Sequence, residues 1–327
     1  MGMWIPNVMD LQEFFKNKYS IYGGLALAKI VPRRLGYAAA KLVGNRIAKQ
    51  KPRVYRQLRE NLSHIPGTTD RPGQLDQITK QAFINAGRYY YDFYHSIGKP
   101  VEKLKERIHI PDEVFTLNRE AQARGRGVQL AGIHMGNFDL GMVTLAGSGL
   151  ELQALSASNP NEGYEVQNKL RSGYDFVVTP ISPASLRQAI QRLRDGGVVA
   201  VGLDWPHPEE TMLSEVFGEP AYIPLGTARL AFLGNAVTMI IAFYSDEQGQ
   251  NYVLYSDPIE VIRTGDRDED IRQNTNAYIR VFEDFLQKHP DQWLRYHKFW
   301  SPETEAETAV QQTEKYSRMD FRKESFS

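Results

Sequence analysis

The chain contains no cysteine among its 327 residues. That excludes a disulfide framework, a thiol nucleophile and every cysteine-containing zinc site, and it leaves the redox compartment open. Long apolar runs are missing as well. The uncharged stretch Tyr19 to Ala28 is stopped by Lys29, short of the ~20 apolar residues that cross a bilayer. The first apolar stretch lacks the basic leader and cleavage site of a signal peptide. There is no G-x-x-x-x-G-K-[ST] loop and no H-E-x-x-H, and Ala146 before Gly147-Ser148-Gly149 breaks G-x-S-x-G. A P-loop enzyme, a zincin and a serine hydrolase with a nucleophile elbow are set aside on those grounds.

Acidic residues are absent from one region. Lys plus Arg equals Asp plus Glu at 39 each, yet no Asp or Glu occurs between Phe14 and Arg59. The same region holds Lys16, Lys18, Lys29, Arg33, Arg34, Lys41, Arg46, Lys49, Lys51, Arg53, Arg56 and Arg59. Such a block suits an anionic surface. Its interspersed apolar residues favour a membrane, and no nucleic-acid module is recognisable. Met1 to Asn17 reads as a short amphipathic lead with Trp4, Phe14 and Phe15. Ile21 to Ala48, broken at Pro32, reads as two interfacial amphipathic helices, with a helical hairpin packed on the domain as the alternative. Residues 1–50 are therefore expected to associate with membranes and 51–302 to form the main domain. Residues 303–327 are polar, lack periodicity and read as a disordered tail.

What is present after residue 51 is an alternation of helices and apolar strands. Pro52 to Ser63 and Gln74 to Ile97 are helical, and Ala82, Phe83, Ala86, Tyr89, Tyr90 and Phe93 form a stripe that reads as core. Asp112 to Arg124 is a further helix. Strands are expected at 128–133, 152–157, 176–179, 198–203, 237–243 and 252–255, with helices at 138–148, 164–171, 184–194 and 225–233 between them. Asp268 to Lys288 closes the fold through Ile271, Tyr278, Ile279, Phe282 and Leu286. Continuous apolar strands separated by helices predict an α/β fold with a mostly parallel central sheet covered by helices.

Within that frame, Val128 to Asp139 (VQLAGIHMGNFD) concentrates the chemistry. His134 ends an apolar strand, Gly136 and Asn137 break it, and Asn137 is a candidate helix N-cap. With that turn between them, the Asp139 carboxylate can fold back onto the His134 imidazole. A carboxylate on one ring nitrogen fixes the tautomer and raises the basicity of the other, as a general base requires. The plainer reading is a strand-end histidine satisfied by a backbone carbonyl. Asn168 and Arg171 are candidate substrate contacts, Arg171 through its planar donor fork. Asp204 ends another apolar strand, where open α/β sheets place their functional crevice, and His207 reads as a loop residue. Gly218 and Pro220 lie in a segment of tight turns, and Trp293 and Trp300 are expected to pack without a chemical role.

HMGNFD resembles the H-x-x-x-x-D/E motif of the lysophospholipid acyltransferase superfamily. More narrowly, it is similar to the H-x-G-N-W/F-D/E form of bacterial lipid A (lauroyl/myristoyl) acyltransferases and phosphatidylinositol mannoside acyltransferases. Asp139 stands where the lipid A branch usually carries Glu. Asp204 matches the acid after the corresponding strand, VFGEPA resembles F-G-x-P-A, and PDQW resembles P-E-Q-W. The resemblance implies a glycerolipid-acyltransferase-like fold. It also implies transfer of a fatty acyl chain from acyl-CoA or acyl carrier protein to a hydroxyl of a glycolipid or lysolipid. His134 would be the base and Asp139 its orienting acid, with backbone N–H groups near Gly136 and Asn137 facing the oxyanion. Asn168, Arg171, Asp204, Gly218 and Pro220 would border the substrate. No cofactor and no metal are implied, and the expected place is the cytoplasmic face of the inner or plasma membrane, peripheral or monotopic. Asp139 and the lack of a full membrane span tilt the acceptor towards a glycolipid other than lipid A. Two other classes compete: a non-catalytic lipid-binding protein on the same fold, and a thioesterase-like hydrolase that needs no acceptor lipid.

Overall fold

The apolar strands join one seven-stranded sheet in the computed structural model, which describes residues 18–158, 160–204 and 211–300. The readings made above for residues 1–17, for His207 and for the tail from 303 onward fall outside the described residues. In chain order the sheet strands are β1 (Ile108–His109), β2 (Val128–Gly132), β3 (Leu152–Ser156), β4 (Phe176–Pro180) and β5 (Val198–Gly202). A separate hairpin, β6 (Thr211–Val216) and β7 (Glu219–Pro224), precedes β8 (Val237–Ser245) and β9 (Asn251–Tyr255). The sheet order is β1-β9-β8-β2-β5-β3-β4. The five strands from β8 to β4 are mutually parallel, and β9 runs antiparallel to β8. The six expected strands are all found. The two-residue β1 is too short to carry a pattern, and the hairpin lies in a region read as turns.

Both faces of the sheet are covered, which is why its strands show no polar alternation. Val128, Leu130, Val237, Met239, Ile241 and Phe243 pack on one side with Phe93 and Leu140. Ala131, Ile133, Ile240 and Ala242 point to the other, towards Leu58, Tyr278 and Phe282. The two-residue period of a strand sorts these side chains between two cores.

The helices are α1 (Lys18–Ile30), α2 (Arg33–Gln50), α3 (Arg53–Ser63), α4 (Gln74–Ser96), α5 (Val101–Lys105) and α6 (Asp112–Ala123). They are followed by α7 (Phe138–Gly147), α8 (Glu162–Arg171), α9 (Pro183–Arg194), α10 (Gly226–Gly234) and α11 (Arg267–Lys288). The expected break at Pro32 separates α1 from α2. Neither floats free of the domain. Ile21, Ala28, Ala40 and Ile47 are buried, and Gly36, Ala40 and Gly44 of α2 form a small-residue face against Tyr91, Gly87 and Ile84 of α4. A Cβ on Gly44 would lie 2.5 Å from Ile84 Cγ1 and 3.0 Å from the Ile84 backbone nitrogen. Gly44→Leu should therefore force the helices apart and cost about 1–3 kcal/mol, the usual range for overpacking. Urea unfolding at neutral pH measures it, and unchanged stability would contradict this packing.

Candidate active site

Two parallel neighbours carry the site. In the β2–β5 pair, Gly132 lies opposite Gly202. Two residues further along each strand end stand His134 and Asp204. The register alone brings them together. His134 Nδ1 lies 2.7 Å from Asp204 Oδ1. The His134 backbone N–H also donates to the same carboxylate, at 3.1 and 3.2 Å from its two oxygens. Trp293 completes the arrangement, its indole N–H donating to Asp204 Oδ2 at 2.8 Å.

Asp204 and Trp293 are buried, whereas the His134 side chain keeps 26% of its surface exposed. One end of the imidazole is thus anchored in protein while the ring reaches solvent. Burial opposes ionisation of Asp204, but the adjacent His134, the hydrogen bonds from His134 and Trp293, and the Arg295 guanidinium outweigh it. The carboxyl is held below its ordinary value and is an anion at neutral pH.

The backbone around His134 is held from two sides. Leu294 N–H donates to His134 O at 2.9 Å, and Gly136 N–H donates to Gln292 O at 2.8 Å. Gly136 sits at φ 62°, and a Cβ there would lie 2.1 Å from the Phe243 carbonyl oxygen. Only glycine meets both demands. Gly136→Ala should lose at least about 2 kcal/mol of stability together with nearly all activity, as read by thermal unfolding and acyl transfer. Asn137 then caps α7, its side-chain oxygen accepting from Leu140 N–H. Phe138 sets its ring edge against the imidazole, 5.1 Å between centroids.

Asp139 lies in the first turn of α7, where a helix N-terminus favours a negative charge. Its Oδ1 accepts from Arg171 Nε at 2.7 Å, and both side chains are almost fully buried. Arg171 also donates from Nη1 to Asn168 Oδ1 at 2.9 Å and from Nη2 to Gln167 Oε1 at 3.3 Å, and Tyr164 covers the guanidinium face. Burial would lower the Arg171 pKa, but Asp139 and Tyr164 more than reverse this and keep the guanidinium protonated. The donor fork expected to meet a phosphate is therefore engaged within the protein. Asn168 is likewise tied, donating to Ser156 Oγ at 3.2 Å.

Gly218 and Pro220 are placed differently. Phe217 and Gly218, both at positive φ, form the two-residue turn of the β6–β7 hairpin, the geometry that suits twisted strands. Pro220 pairs opposite Glu215 in β7. The hairpin is tied to α11 by Phe217 N–H to Glu283, and to His64 through Glu219. No hydrogen bond joins Gly218 or Pro220 to the His134 group among the described residues. Trp293, conversely, reads from the sequence as a packing residue only; the Asp-Gln-Trp sequence holds no local sign that its indole meets an acid 89 residues away.

Among the described residues no group of three His, Asp or Glu side chains stands close enough to hold a metal ion. A histidine with one nitrogen on a buried carboxylate and its ring open to solvent is suited to taking a proton from a hydroxyl. The family model for bacterial lipid A biosynthesis acyltransferases matches residues 12–301. The chain belongs to that family. Acyl transfer to a lipid acceptor is the reaction class that membership brings. Two similar curated proteins are the phosphatidylinositol mannoside acyltransferases of Mycobacterium tuberculosis strains CDC 1551 / Oshkosh and ATCC 25618 / H37Rv. Each is 24% identical over 249 residues, spanning 75% of this chain and 76% of the relative. The site described above thus lies inside the part of the chain that the family model spans.

Proposed function

We propose that this acyltransferase moves a fatty acyl chain from an acyl thioester, acyl-CoA or acyl carrier protein, to a hydroxyl of a membrane glycolipid. The observation that carries the reading is the His134 Nδ1–Asp204 contact of 2.7 Å at the entrance to α7. With Nδ1–H held by Asp204, Nε2 is the basic nitrogen and takes the acceptor's O–H proton. The acceptor oxygen forms the new bond to the thioester carbon, the C–S bond breaks, and His134 returns the proton to the departing thiolate. No acyl-enzyme forms, because the acceptor is itself the nucleophile. Asp139, ion-paired with Arg171 at 2.7 Å, is the second carboxylate of this mechanism.

Gly136 N–H is engaged with Gln292. The oxyanion donors in this reading are the N–H groups that follow, of Asn137 and Phe138, at the open start of the helix.

The enzyme works on a membrane surface in this account, at its cytoplasmic face. Tyr19, Tyr22, Leu27, Ile30, Leu35, Leu42 and Val43 are exposed on α1 and α2, against Val177, Leu186 and Leu213 in all the rest of the described chain. No described helix is long and apolar enough to cross a membrane. A basic helix pair with an outward apolar face fits interfacial binding. The mannoside relatives and Asp139 favour a glycosylated phosphoinositide-type acceptor over lipid A. Incubating the enzyme with labelled acyl-CoA or acyl carrier protein and the host's lipid extract tests the reading. Thiol release that requires lipid, with a lipid heavier by one acyl group in the mass spectrum, is the expected result. Thiol release without lipid would make it a hydrolase, and vesicle binding without turnover a lipid-binding protein.

A further inference from the structure

Away from the His134 site lies a cavity of about 630 Å³ bounded by Tyr22 and Lys29 of α1, Lys99 in the turn after α4, and Val166 and Lys169 of α8. None of the three ammonium groups pairs with a carboxylate among the described residues, while nearby Glu162 and Glu106 are taken by Lys18 and Lys103. Glu162 and Glu165, the latter one turn before Lys169 on α8, border an adjoining smaller hollow that Val166 and Lys169 also line. Lys29 Nζ hangs over Gly98, 3.8 Å from where a Cβ would be. Burial, Arg107 and Lys29, in that order, push Lys99 below its ordinary value. Like charges held this close cost energy unless an anion joins them.

The floor is rigid. Gly98 N–H donates to Tyr174 Oη at 2.8 Å, and Tyr174 O–H donates to Lys99 O at 2.6 Å. At 100° per residue, Val166 and Lys169 lie on the side of α8 away from Arg171, so the cavity is not the other half of the Asp139–Arg171 pair. The lining also has an apolar part, Tyr22, Ile97, Pro100, Val166 and Leu170. A soluble phosphate has no use for that part. A phospholipid matches both the cations and the apolar lining.

We propose that this cavity binds the phosphodiester headgroup of an anionic membrane phospholipid, separately from the acyl-transfer site. The inference rests on the reading that α1 and α2 face the membrane. Occupancy would join α1 to α8, the helix that carries Arg171, and so brace the catalytic end of the domain against the lipid surface.

The test uses the full chain with ¹³C-methylated lysines and dihexanoylphosphatidylglycerol below its micelle concentration. Saturable shifts at Lys29, Lys99 and Lys169 are expected, with none from dihexanoylphosphatidylcholine or inorganic phosphate at the same concentration. Lys29→Gln, Lys99→Gln and Lys169→Gln together should weaken binding by at least about tenfold. The equal charge loss of Arg119→Gln, Arg187→Gln and Arg267→Gln should not. Equal binding of inorganic phosphate, equal loss in both triple variants, or no saturable shift would overturn the proposal. Flotation with phosphatidylglycerol vesicles separates the two readings: short-chain lipid bound in the cavity without vesicle binding would uphold this site and remove the membrane-facing assignment.

Discussion

Replacing Asp204 by asparagine is expected to lower turnover by about three to four orders of magnitude in a protein that remains folded. Three donors converge on this carboxylate: the His134 ring N–H, the His134 backbone N–H and the Trp293 indole N–H. An amide offers one acceptor oxygen and sets an NH₂ group against at least one of them. The least costly rearrangement turns the imidazole to its other tautomer, with Nδ1 accepting and the proton on Nε2. The base is then lost although every ring atom stays in place. A pH series adds a second reading with a definite sign. The Asp204 carboxyl is lowered in the folded protein from 3.8, so its contribution to stability is fully present above that value. It disappears as pH falls through the lower folded value. The stability gap between wild type and Asp204→Asn should therefore hold from neutral pH down to about 4 and close only below it. Unfolding by urea at several pH values measures this, and a gap that closed near neutrality would contradict the assignment.

The second large effect concerns the other carboxylate. Asp139→Asn leaves Arg171 buried without a counter-charge, and breaking such a pair from one side costs about 3–5 kcal/mol. Adding Arg171→Met should restore much of that stability, because the stranded charge is gone. On the proposed mechanism activity should not return with it, since Asp139 is there a second carboxylate that serves the base. Denaturant unfolding and turnover of the single and double variants separate the two roles. Recovery of both stability and turnover in the double variant would make Asp139 purely structural.

The apolar strands, their order with helices, Gly136, the Asn137 cap and the candidacy of His134 are legible in the sequence because each depends on local pattern. The pairing of His134 with Asp204 depends on β2 and β5 being neighbours in register, and sequence order hides that adjacency: β3 and β4 come between them. The same holds for Trp293, delivered from beyond α11. The Arg171 donor fork is legible in the sequence, but its ion pair with Asp139 depends on how α8 packs against α7. The α2 face of Gly36, Ala40 and Gly44 has a plain spacing of four. The basic residues around it leave the sequence alone unable to tell which face packs inward.

His134 is the proposed base that acts on a lipid hydroxyl. Single-turnover release of thiol from a labelled acyl thioester, in lipid extract, tests that role most directly when wild type and His134→Ala are compared at matched thermal stability. Lipid-dependent release in wild type and its loss by several orders of magnitude in the variant is the predicted result. A His134→Ala protein that transferred the acyl chain at near the wild-type rate would contradict it.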